Sequence, residues 1–473
     1  MPSPLRQPGA VLLVSLYELG HQPLQLASPL GFLRARGFAP QALDLHAERF
    51  ADERVAAARV ILVSVPMHTA LRLGLRFLDR ARACNPQALI AFYGLYATLN
   101  AGHLLKKGAD ATIGGEYESA LVALCEALAA SPTGKAGLGP IAGVQTADHA
   151  AAPVLARLPF VVPARDSLLP LSRYARFDPG DGPERPAGYT EASRGCLHLC
   201  RHCPIPPVYG GRFFVVPRDI VLADVRQQVA AGAAHITFGD PDFLNGPRHS
   251  LELLRALHAE FPALTFDVTC KVEHILRQHT LWPELARLGV RFVVSAVESL
   301  SPAVLTLLQK GHTPADVEAA LQLLRAAGIA MRPSLVAFTP LTTLADYREL
   351  LGFVARHDLV EHVDPVQFTI RLLVPPGSYL LQVPELVQHL GPLDEARLCY
   401  PWRHPDPRMD ELHQQVTRRV EDGLAGKEPP GQILSALGEL LQACDPAPRE
   451  AVRLEQSRAR ASRVPRLTEP WFC

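Results

Sequence analysis

The chain has 473 residues, with 47 Lys+Arg against 47 Asp+Glu and a pI near 7.3. That length exceeds what one hydrophobic core sustains, so two or three domains are expected. The charge balance lacks the footprint of a nucleic-acid or anionic-membrane binder, and no apolar run approaches the roughly 18 residues of a membrane-spanning helix.

Residues 10 to 130 alternate short apolar runs with amphipathic patterns. "AVLLVSL" (10–16), "ARVILVSV" (58–65) and "ALIAFYG" (88–94) read as buried parallel strands, with weaker strands at "PQALDL" and "ADATIG". "TALRLGLRFLDRARA" (69–83) and "ESALVALCEALAA" (118–130) carry apolar residues at helical spacing. This alternation predicts a doubly wound open sheet over 8–130, which binds ligands at the carboxyl ends of its strands. "AVLLVSL" meets Tyr17-Glu18 without a cleavage-site pattern, so a cytosolic protein is expected.

Residues 131–187 are rich in Pro, Ala, Gly and Asp and read as a linker. From 188 to 384 strand and helix signals alternate again, at "HITFGD" (235–240), "LTFDVTC" (264–270), "VRFVVSAVES" (290–299), "MRPSLVAFTP" (331–340) and "VDPVQFTIRLLVP" (363–375). With one strand ahead of them they predict a partial or full (β/α) barrel, its functional residues at the carboxyl ends of the strands. Pro314 and Gly328 bracket one of its helices, where helices prefer them. The remainder, 385–473, reads as a helical extension ending in a cysteine tail.

"EASRGCLHLCRHCPIPPVYGG" (191–211) places Cys196, Cys200 and Cys203 within eight positions. Nine cysteines in a long chain do not suggest a secreted disulfide framework, and a reducing compartment turns a cluster towards metal or redox work. A structural zinc site needs four ligands; His198 or His202 is available as a fourth, but both lie in the same short loop. Three thiolates suit one cubane iron–sulfur cluster with an open iron, and a non-catalytic iron–sulfur or zinc module is the alternative of another class.

C-x3-C-x2-C after "SRG" resembles the radical S-adenosylmethionine (radical SAM) superfamily. The resemblance implies a [4Fe-4S] cluster on Cys196, Cys200 and Cys203, whose open iron chelates the amino and carboxylate groups of SAM and whose electron cleaves a carbon–sulfur bond. It places His202 near the adenine, and Gly239 and Asp240 of "FGDPDF" at the methionyl amine. In "VVSAVESLSPAVLTLLQKGHT" it puts Glu298 at the ribose. It also implies an electron donor such as ferredoxin or flavodoxin, while the charge balance and the lack of a membrane-length apolar run make a small-molecule substrate, with no nucleic-acid or membrane partner, the expectation.

"GADATIGGEYESALVALCEAL" and "LPFVVPARDSL" resemble the subgroup of this superfamily that carries a cobalamin-binding domain. Histidine-on members have Asp-x-His-x-x-Gly after the first strand; here that place reads "SLYELGHQP", and Asp44-x-His46 follows the second strand instead. Cobalamin is therefore an open cofactor. Cobalamin-dependent methyl transfer is one alternative reaction; transfer of a 3-amino-3-carboxypropyl radical, to a soft element such as arsenic, is another.

The ending "RVPRLTEPWFC" resembles radical SAM proteins with a CUAEP/CCAEP tail, in which Cys473 would be followed by Cys or selenocysteine and then Ala-Glu-Pro. The expectation is a chain cut at a selenocysteine codon, with Cys473 as the first of two soft tail nucleophiles. Outside these motifs, Lys271, Arg332 and Arg371 fall on predicted strands, Cys84, Cys125 and Cys270 read as core residues, and Trp402, Arg403 and His404 as structural ones. "DLHAERF" (44–50) reads as a solvated turn.

Overall fold

The computed structural model describes residues 3–131, 133–446 and 464–469. The three strong apolar runs of the first half form β1 (Val11–Ser15), β3 (Val60–Ser64) and β4 (Leu89–Tyr93), and the two weaker ones form β2 (Gln41–Asp44) and β5 (Ala111–Ile113). All five are parallel in the order β2-β1-β3-β4-β5, and every residue of β1, β3 and β4 is buried. Continuous apolar strands are what a sheet covered on both faces requires. Helices His68–Cys84 and Glu118–Ala130 lie where the periodicity placed them. Helix Leu24–Ala35 has no comparable signal, because it is buried over most of its circumference and carries Pro29 inside.

The segment 131–187 is more structured than its composition suggests. It adds β6 (Val144–Gln145) antiparallel to β5, and β7 (Arg176–Asp178) antiparallel to β8 (Arg185–Thr190). Arg165 fastens it by a bidentate pair to Asp224 at 2.8 Å, and by bonds to Gln22 Oε1 at 3.0 Å and the Tyr189 carbonyl at 2.6 Å.

β8 is the first of the parallel strands of the second sheet, which β7 also joins. A hairpin of β9 (Ser193–Gly195) and β10 (Phe213–Val215) follows, then β11 (His235–Phe238), β12 (Thr265–Thr269), β13 (Val290–Glu298) and β14 (Ala330–Leu335). The sheet runs β14-β13-β12-β11-β8-β7-β15, in which β8 and β11 to β14 are parallel and β15 (Arg466–Leu467) pairs antiparallel with β7. It curls into a half-barrel. The expected strand over 363–375 is absent: Pro365–Thr369 is a 3-10 turn, and one bridge, Phe338 to Arg371, remains. Pro365 cannot donate to a ladder, and the Gln367 side chain accepts the Leu335 N–H at 2.8 Å in place of a backbone carbonyl.

Capping boxes start helices Pro314–Ala326 (Thr313 with Asp316) and Leu344–Arg356 (Thr343 with Asp346). Helices Pro407–Ala425 and Pro430–Cys444 bury Met409, Leu412, Val416, Ile433 and Leu437 in the same core as the half-barrel. Trp402 is buried, donates from Nε1 to the Leu372 carbonyl and lies under the Arg371 guanidinium. In the 44–50 stretch residues 45–48 do form a turn at the surface, but Asp44, the last residue of β2, is buried and accepts from the Tyr174 hydroxyl at 2.7 Å. Among the described residues no helix is long and apolar enough to cross a membrane.

Candidate functional site

At the carboxyl end of the half-barrel lies a cavity of about 110 Å³, walled by Cys196, Cys200 and Cys203 together with Asp242, Lys271, Glu298 and Lys310. The loop carrying the cysteines leaves β9 at Gly195, whose φ is +74° and where a Cβ would stand 2.4 Å from the Arg212 carbonyl oxygen and 2.6 Å from the Tyr209 ring. Only glycine fits there. Cys196 N then donates to the Arg212 carbonyl at 3.0 Å, Arg201 N to that of Leu308 at 3.0 Å, and the Ser378 hydroxyl to that of Arg201 at 3.2 Å. The loop is thus pinned by the hairpin, by the segment after β13 and by the segment beyond β14.

All eight described cysteines are free. Burial raises the Cys196 thiol and pushes that of Cys203 up to about 12, so without a bound cation these sulfurs hold their protons. A site whose thiols ionise only against positive charge fits an iron–sulfur group, which takes thiolates outright.

Glu298 ends β13 at φ +64°, next to a register shift against β14, and this unusual backbone turns its carboxylate onto the cavity wall. Lys310 Nζ donates to Glu298 Oε1 at 3.3 Å, and His202 Nε2 stands 3.4 Å from the same oxygen. Burial alone would raise the carboxyl, but Lys310 and His202 hold it down to about 2. His202 and Glu298, assigned separately in the sequence, are therefore brought together, with Lys310 as a partner that "LLQKGHT" did not single out.

The turn after β11 differs from expectation. Asp240 is buried away from the cavity: it accepts from Ala192 N at 2.8 Å and the Ser193 hydroxyl at 2.6 Å, and burial lifts it to about 7. Gly239 leaves room for the Tyr189 hydroxyl, which a Cβ would approach to 1.9 Å. Asp242, two residues on, lines the cavity instead, held by N–H groups of Leu244 at 3.0 Å and Lys271 at 3.1 Å. Its signal was present, since "GDPDF" offers two carboxylates, but spacing does not say which one faces inward. Lys271 reaches the same wall, 3.1 Å from Glu273 and 3.3 Å from His198 Nδ1; burial and Lys271 push His198 down to about 4. Arg332, by contrast, pairs with Asp364 at 2.9 Å, and Arg371 with Asp410 at 2.8 Å. Cys473 lies outside the described residues.

Two residues ahead of the first cysteine, buried Arg194 gathers three carboxylates: Glu191, Glu118 at 2.7 Å and Glu116 at 3.4 Å. Glu116 and Glu118 follow β5, so the first sheet's end is bonded directly to the root of the cysteine loop.

Residues 190–351 match the model of the radical SAM superfamily. Over 254 residues the chain is 26% identical to the ribosomal protein uS12 methylthiotransferase RimO of Anaeromyxobacter sp., covering 50% of this chain and 49% of the relative. Over 200 residues it is 28% identical to the tRNA-2-methylthio-N(6)-dimethylallyladenosine synthase of Halorhodospira halophila, covering 38% and 41%. It thus spans about half the length of the curated relatives it matches or less.

Among solved structures, the fold is similar to the cobalamin-dependent S-adenosylmethionine radical enzyme OxsB with aqua-cobalamin bound (TM-score 0.69, 16% identity, 89% of this chain and 68% of that one). It is also similar to the radical S-adenosylmethionine methyltransferase TsrM of Kitasatospora setae (TM-score 0.57, 17% identity, 74% and 71%). Such a domain implies a [4Fe-4S] cluster and SAM. The chain carries a radical SAM domain over residues 190–351, and that domain marks the protein as an enzyme.

Proposed function

We propose that Cys196, Cys200 and Cys203 hold the [4Fe-4S] cluster and that the protein starts radical chemistry on a small substrate. The observation that carries this is the convergence of three unbridged cysteines on one cavity with Glu298, whose carboxyl is held down to about 2. The bound cluster supplies the electron that cleaves the carbon–sulfur bond of SAM. Glu298, kept ionised by Lys310, is an acceptor for sugar hydroxyls, with His202 beside it offering a flat ring. An electron donor of the ferredoxin or flavodoxin kind and a cytosolic setting fit the eight free thiols.

Anaerobic reconstitution tests the reading. Iron, sulfide and a brown chromophore should be bound, and reduction with SAM should release methionine and 5′-deoxyadenosine. A cluster retained by the Cys196, Cys200 and Cys203→Ala variant would falsify the assignment.

A second reading, cobalamin-dependent methyl transfer, is favoured by the first sheet and its fold neighbours. The residues present no imidazole from the β1 loop, because His21 is buried and stacked on Tyr189 at 4.4 Å. Any corrinoid here would bind without that ligand. Stoichiometric retention of hydroxocobalamin by the full chain tests it, and absence of a retained corrinoid spectrum removes it.

A further inference from the structure

Beside the cysteine loop, three elements converge on a set of side chains that the proposed function leaves unused. His198 comes from the loop itself, Asp242 from the turn after β11, and His274 from the helix Val272–Arg277 after β12. His274 Nδ1 stands 3.0 Å from Asp242 Oδ2, His198 Nε2 stands 3.7 Å from it, and the three ligand atoms all lie within 4.8 Å of one another. An ion about 2.0–2.2 Å from each of its ligands holds them roughly 3–3.6 Å apart, so the set needs little adjustment to close on one.

The two nitrogens are buried and neither has a hydrogen-bond partner, although His274 is 4% exposed and Asp242 1%. Buried imidazole nitrogens left unsatisfied next to a carboxylate are costly, and a ligand that takes both removes the cost. Asp242 is aimed by the N–H groups of Leu244 and Lys271, as a ligating carboxylate is.

We propose that His198, Asp242 and His274 form a mononuclear site for a borderline divalent transition-metal ion such as Zn²⁺, Fe²⁺ or Co²⁺, separate from the cluster and opening onto the same cavity. Two imidazoles and one carboxylate suit these ions and disfavour Mg²⁺ or Ca²⁺, which take oxygen. With His198 Nε2 on the metal, the ring proton sits on Nδ1, and Glu273 Oε2 stands 3.9 Å from that nitrogen, near enough to accept it after a small side-chain shift. Lys271 Nζ, 3.3 Å from that nitrogen, then turns to Glu273, which already holds it at 3.1 Å.

The test uses the full chain with Cys196, Cys200 and Cys203 changed to Ala, so its result does not depend on the cluster. Titration with Co²⁺ should give one equivalent bound, with ligand-field bands and no thiolate charge-transfer band. His274→Gln and Asp242→Asn on that background should each weaken binding at least tenfold, whereas His258→Ala should leave it unchanged. Circular dichroism shows which variants fold, and either one suffices. Less than a tenth of an equivalent bound, a thiolate band, or undiminished binding in a folded His274 or Asp242 variant overturns the proposal.

Discussion

Lys310 Nζ and Glu298 Oε1 lie 3.3 Å apart with both side chains buried, so the carboxylate and ammonium on the cavity wall depend on each other for their charge. Removing one partner of a buried pair strands the other, at a cost of about 3–5 kcal/mol. Glu298→Gln should therefore lower the stability of the cluster-free protein by that order in urea unfolding, and the Lys310→Met, Glu298→Gln double variant should recover part of it.

The same pair sets an acid limit. Glu298 is held at about 2 when folded, below its ordinary 4.5, so its contribution is present above pH 4.5 and lost as pH falls towards 2. A shift of that size is worth roughly 3 kcal/mol. Thermal melts of the cluster-free protein should stay level in this respect down to about pH 5 and then decline, and Glu298→Gln should flatten that decline.

Glu116 gives the opposite slope near neutrality. Burial raises it to about 7 despite Arg194, because one guanidinium faces three carboxylates. Between pH 4.5 and 7 the folded state binds more protons than the unfolded one, so stability contributed here falls as pH rises. Melting temperatures of Glu116→Gln, which keeps an oxygen for the Tyr209 hydroxyl, should fall less from pH 6 to 8 than those of the parent.

Arg194→Met should act at a distance from its own contacts. It leaves Glu118 and Glu191 buried without a cation, two residues ahead of Cys196, so both a loss of about 3–5 kcal/mol and reduced iron incorporation are expected. Gly195→Ala should reduce iron incorporation through the backbone alone, since its Cβ meets the Arg212 carbonyl at 2.4 Å. Normal iron content in both variants would show that the loop root does not matter.

The first sheet was legible because β1, β3 and β4 are buried on both faces and read as nearly unbroken apolar runs, such as Val60–Ser64. That the three cysteines face one cavity was legible because their spacing within one loop is local. What sequence could not show was which of Asp240 and Asp242 faces the cavity, since that depends on hydrogen bonds to Ala192, Ser193, Leu244 and Lys271 from other segments. Lys310 and His274 were missed for the same reason: each acquires meaning from a partner twelve or more residues away. The expected strand at 363–375 failed because its apolar run was counted while the consequence of Pro365 was not.

The two-residue strand β15 has a consequence for solubility. An outer strand such as β7 presents unpaired N–H and C=O groups that invite strand addition from another copy. Arg466 and Leu467 occupy those groups against Asp178 and Phe177, Thr468 N donates to the Arg176 carbonyl, and Glu469 accepts from the hydroxyl of Tyr17 in the loop after β1. Six described residues thus act as a gatekeeper on the half-barrel's open side. A chain stopped before residue 464 should keep its helical and sheet signature by circular dichroism but self-associate with rising concentration in light scattering. A strictly monomeric truncated chain would show that this edge needs no guard.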